Sequence, residues 1–144
     1  MSATLPIWYL ISHDAAVLAI VPIERIKEGD VSSPDMQMPA IVITRVSSLP
    51  ANTIAMLEPY ALNREHVQVT VLNKATVAAP AGPGKKGCDA LIALVRKACA
   101  NQRGNIAGVA VSSILPDVIG PDLADAATGL YTGSVDFIVY WHNA

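Results

Sequence analysis

Apolar residues recur at every second position along Gly129–His142 (GLYTGSVDFIVYWH). Tyr131, Gly133, Val135, Phe137, Val139 and Trp141 share one face, and Leu130, Thr132, Ser134, Asp136, Ile138 and Tyr140 share the other. That period predicts a strand with one dry face. Glu65–Asn73 (EHVQVTVLN) alternates in the same way, with Val67, Val69 and Val71 opposed to His66, Gln68 and Thr70. Ala40–Ser48 (AIVITRVSS) and Gly108–Leu115 read as two further strands, the first strongly β-branched. Between them the period changes. Cys88, Leu91, Ile92, Val95, Ala98 and Cys99 make the apolar stripe of an amphipathic helix over Cys88–Asn101, with Asp89, Arg96 and Lys97 away from it. Gly104 is expected to end that helix.

Nearer the N-terminus, Leu5–Ile11 reads as a short helix with Pro6 in its first turn. Asp14 is placed to N-cap a second helical stretch, Ala15–Ile20, which Pro22 stops. A short extended piece, Ile23–Lys27, follows. Glu28–Pro39, Leu49–Asn63, Ala75–Gly87 and Pro116–Gly129 carry the Gly, Pro, Ser and Asp content of loops. The order helix, strand, strand, helix, strand, strand predicts an α+β fold. Its sheet is expected to be mostly antiparallel, with four to five strands and helices packed on one face. A chain of 144 residues is expected to form a single domain over residues 1–144.

Composition adds one feature. Hydrophobic residues make up 52% of the chain and charged residues 15%, against about 25% charged in an average domain. Either another chain covers part of the apolar surface, or the protein is a monomer rich in Ala and Val. The net charge is −2 and no basic run exceeds Lys85-Lys86. Sequence-independent nucleic-acid binding needs clustered cations, so it is not expected. Leu5–Ile23 is apolar but broken by Ser12-His13-Asp14, so it lacks the unbroken run of about 18 apolar residues of a membrane span and the basic start of a signal peptide. A cytoplasmic origin is expected. Cys88 and Cys99 fall on one helix face about 16 Å apart at the helical rise. A disulfide needs Cα atoms within about 7 Å, so both are expected to be free, buried thiols.

Candidate chemistry is thin. Ser12, His13 and Asp14 spell nucleophile, base and orienter, but consecutive helical residues point about 100° apart and are not expected to converge. His13, His66 and His142 show no metal-pair spacing, and no CxxC is present. The stretch APAGPGKKG lacks the phosphate-loop spacing, and Pro83 removes an N–H donor. No enzyme activity, cofactor or metal is expected. Lys85 and Lys86 stand at a helix start, where the macrodipole disfavours each cation by about 0.3–1 kcal/mol. They are either simply solvated or in contact with a partner. Asp136 shares its face with Ile138 and Tyr140, a half-apolar surface suited to a neighbouring subunit.

The sequence resembles the tail-terminator, or tail-completion, proteins of long-tailed bacteriophages, the family of the lambda minor tail protein U. The resemblance runs over nearly the whole chain: "DAAVLAIV" and "IERIKEGD", then "MPAIVITRVSS" with "PANT" after it, "HVQVTVLNKA", "CDALIALVRKA" and "ATGLYTGSVDFIVYW". These are packing patterns in a shared order, not chemical signatures. The Ala75–Gly87 loop is longer than the strand-to-helix joint of the family.

The resemblance implies a structural virion protein at the head–tail interface, assembled in the host cytoplasm. It implies a homo-hexameric ring on the head-proximal end of the tail tube. That ring halts polymerisation of the tube protein and offers a docking surface to the head connector or stopper, while genomic DNA passes through the lumen without specific binding. Another connector or head-completion component of the same ring-forming type is the alternative. On this reading Gln68, Thr70, Asp136, Ile138 and Tyr140 meet a neighbouring subunit. Met36, Met38, Asn52, the Met56-Leu57 pair, Lys85 and Lys86 lie on loops that reach the tube or connector. Asp117, Asp122 and Asp125 sit on an acidic loop facing the lumen.

Overall fold

The computed structural model describes residues 3–29, 39–50, 62–74, 84–121, 123–125 and 129–142. Helices α1 (Thr4–Ser12) and α2 (Ala15–Leu18) lead through a 3-10 turn, Ile23–Arg25, into strand β1 (Ile26–Glu28). Strands β2 (Ala40–Pro50) and β3 (Leu62–Lys74) follow, then helix α3 (Gly84–Cys99). The chain closes with β4 (Gly104–Ile106), β5 (Val109–Ile119), β6 (Leu123–Asp125) and β7 (Leu130–His142).

One sheet of seven strands runs β1-β2-β3-β7-β5-β4, and β6 also pairs with β7. Its spine is β3 against β7, antiparallel and in unbroken register from Leu62 opposite His142 to Lys74 opposite Leu130. The α+β class holds, but the sheet is mixed and larger than four to five strands, because β1 lies parallel to β2. Three of the strands are only three residues long, too short for any period to show. Pro116–Gly129 is likewise not all loop. Strand β5 continues through Pro116 to Ile119, and the register slips between those two residues. A bulge at a sheet margin tolerates a proline that lacks its N–H.

Because residues directly opposite one another share a face, the register sorts the sheet. Ile41, Ile43, Val67, Val69, Val71, Val135, Phe137, Val139 and Trp141 form the inner face and join Ile7, Ile11, Val17, Leu91, Ile92 and Val95 in one buried core. The predicted helical stripe is therefore the buried stripe of α3. Gly133 lets α3 come this close to β7, since a Cβ there would lie 2.6 Å from the Ile92 side chain.

The helix begins at Gly84 rather than Cys88, so Lys85 and Lys86 occupy its first turn and not a loop. Local glycine content hid this start. Gly84 and Gly87 are buried, and the Gly84 carbonyl accepts a 3.0 Å hydrogen bond from the Asn73 side chain. The helix also stops before Gly104. Asn101 adopts φ 61° and its N–H donates to Ile114 O at 2.8 Å, a left-handed stop that asparagine accepts readily.

Two tethers fix the N-terminal helices. Asp14 caps α2 as expected, its carboxylate accepting from the N–H groups of Ala16 at 2.9 Å and Val17 at 3.4 Å; α2 then ends at Leu18, short of the predicted Ile20. The Trp8 indole donates to Ile26 O at 3.1 Å, joining α1 to β1.

Candidate functional site on the outer sheet face

The face away from the helices reads as cross-strand rows. Leu49, Arg64, Tyr140 and Ser113 make one row, and Ser47, His66, Ile138 and Leu115 the next. Below them come Thr44, Gln68 and Asp136, then Val42, Thr70 and Ser134. Ala40, Leu72, Thr132 and Leu123 make a further row. The residues expected to meet a neighbouring subunit, Gln68, Thr70, Asp136, Ile138 and Tyr140, are thus brought together on consecutive rows of one face. Ile138 is only 9% exposed, so most of its surface is already covered within the chain.

The exposed large apolar residues of the sheet lie to either side of this spine. Every residue of β2 from Thr44 to Pro50 is exposed. Val46 and Leu49 on β2, and Leu115, Val118, Ile119 and Leu123 on β5 and β6, are 45–60% exposed. Strand β1 pairs with β2 only as far as Ile43, and β4 pairs with β5 only over Val109–Val111. Among the described residues no further strand pairs with the rest of either on its far side, although the Asn101 N–H reaches Ile114 O on β5. Unpaired edges that carry apolar side chains invite pairing with another chain.

At the centre of the face, Asp136 Oδ2 lies 2.9 Å from His66 Nε2. Asp117 joins them: one ligand atom from each of the three side chains lies within 4.8 Å of the others. Asp117 sits in the slipped register of β5, where the bulge re-aims a side chain toward β7. It therefore belongs to a strand, not to the predicted acidic loop. Spacing along the chain does not reveal this cluster, because its members are distant in sequence and come from three strands. The usable signal is parity, since His66 and Asp136 both fall on the outward positions of their strands.

Ser12 and His13 do touch, contrary to expectation. His13 is the cap residue of α1 with φ −109°, outside helical geometry, and its Nδ1 lies 3.1 Å from Ser12 Oγ. Both groups also engage the Tyr9 carbonyl. Asp14 turns away to cap α2, so the three do not form a relay. Of the other predicted contact residues, Lys85 and Lys86 are exposed on α3. Met36, Met38, Asn52, Met56, Leu57 and Asp122 lie outside the described residues, and Asp125 falls in β6.

Comparison with known proteins bears on this architecture. The profile of the family described as tail completion protein gp17 matches residues 7–142. A chain in the solved structure titled "Virion of native gene transfer agent (GTA) particle" is similar in fold, with a TM-score of 0.67 at 13% identity, covering 98% of this chain and 95% of that one. No curated protein sequence gives a significant match. The family match takes in every strand, α2, α3 and α1 from Ile7 onward, and the chain therefore belongs to the tail completion protein gp17 family and is a structural component of a phage-type tail.

Proposed function

We propose that the chain forms a homo-hexameric ring on the head-proximal end of a tail tube, stops tube polymerisation there and presents the surface to which the head's connector docks. The observation that carries this is the pair of unlike apolar edges on opposite sides of the β3–β7 spine. The exposed half of β2, with Val46 and Leu49, and the β5–β6 margin, with Leu115, Val118, Ile119 and Leu123, are different surfaces. A two-fold dimer uses one patch against itself. Two unlike patches suit a head-to-tail contact, and such contacts close into a ring when the rotation allows. Each subunit would give its β2 edge to the β5–β6 edge of the next. With Asp117 turned toward His66 and Asp136, the channel-facing acidic role for passing DNA is left to Asp122 and Asp125.

Light scattering on the purified chain, alone and with tube protein, tests the reading. A ring mass is expected, and Leu115→Asp with Leu123→Asp should return a folded monomer. A wild-type chain that stays monomeric at every concentration and with tube protein present would sink it.

A further inference from the structure

We propose that His66, Asp117 and Asp136 form a binding site for a divalent transition-metal ion of the zinc class. The three side chains come from the adjacent strands β3, β5 and β7, so the sheet itself fixes their spacing. One nitrogen and two carboxylate oxygens already lie within 4.8 Å of one another, and His66 Nε2 and Asp136 Oδ2 are 2.9 Å apart. Two ligands of a single zinc ion, each about 2.0–2.2 Å from the metal, sit roughly 3–3.5 Å from each other. The arrangement therefore needs only a small closure of the exposed Asp117 side chain.

A second observation points to a missing ligand. Among the described residues, buried Asp136 Oδ1 has no hydrogen-bond partner, while its Oδ2 is engaged by His66. A buried carboxylate oxygen without a donor is costly. Two carboxylates converge here against one imidazole, and a divalent cation supplies both the charge and the coordination that the histidine alone cannot. Imidazole in the set favours zinc and its neighbours over magnesium or calcium, which prefer sites built wholly from oxygen. Binding displaces the His66–Asp136 hydrogen bond. The imidazole then coordinates through an unprotonated nitrogen, and any proton it held there passes to solvent. Three protein ligands leave a fourth position for water. The site does not depend on the ring.

The test is isothermal titration of the full chain with zinc chloride, repeated with magnesium chloride. One zinc per chain is expected, with no comparable magnesium binding. Asp117→Asn, an exposed position whose fold circular dichroism can verify, should weaken zinc at least tenfold, and His66→Asn should abolish the site. His13→Asn and His142→Asn should leave it unchanged. NMR of the histidine rings should show His66 as the one that shifts. No uptake, uptake that survives both Asp117→Asn and His66→Asn, uptake that follows His13, His142 or the cysteines, or equal binding of magnesium would each overturn the proposal.

Discussion

Cys99 and Glu65 show how single residues are committed to the interior. Burial in the core, with the nearby Asp14 carboxylate adding to it, pushes the Cys99 thiol well above the ordinary thiol range. The neutral thiol is the folded form. An unfolded thiol ionises near about 8.5, so the stability linked to Cys99 is fully present below that pH and is lost as pH rises beyond it. Iodoacetamide should accordingly leave Cys99 unmodified in the folded protein at pH 8, and label it only in denaturant; rapid native labelling read by mass spectrometry would contradict the burial. Glu65 is 1% exposed and faces the helices, not the solvent. Its carboxylate accepts from Ala3 N–H at 2.8 Å and from the Ser48 hydroxyl at 3.3 Å. Removing such a partner strands buried polar groups at about 1–3 kcal/mol. Glu65→Ala should lower unfolding stability by roughly that amount or more, measured by urea denaturation.

At the scale of elements, the β4–β5 hairpin turns through Ala107 and Gly108, with φ 53° and 82°. Positive φ at both central residues marks a type I′ turn, whose favoured pair is Asn-Gly. Alanine loses about 1–2 kcal/mol in that conformation, so Ala107→Asn should raise stability by about 1 kcal/mol in thermal or urea unfolding. The elements long enough to repeat a period were legible in the sequence. The β7 alternation, the Val67–Val69–Val71 stripe and the α3 stripe each fall where the pattern placed them. Those that failed did so for local reasons. Three-residue strands carry no period, Pro116 and its neighbouring aspartates imitate a loop, and the glycines of GKKG disguise a helix start. The His66–Asp117–Asp136 cluster was half legible, because outward parity was readable while the register joining β3, β5 and β7 depends on long-range pairing.

Across the whole molecule, the proposed ring gives the low charge content and the two apolar edges one explanation. A monomer of this size has enough core to stand alone, and the buried cluster from Ile7 to Trp141 supplies it. The apolar margins on β2 and β5–β6 are surplus to that core. Under the proposed function they are the contacts between copies and with neighbouring tail parts. Electron microscopy of particles produced without this chain tests that account most directly. Overlong tails, uncapped and without heads, are the predicted result. Tails of normal length, or heads that leak DNA beside correctly terminated tails, would contradict it and assign the chain to completing the head.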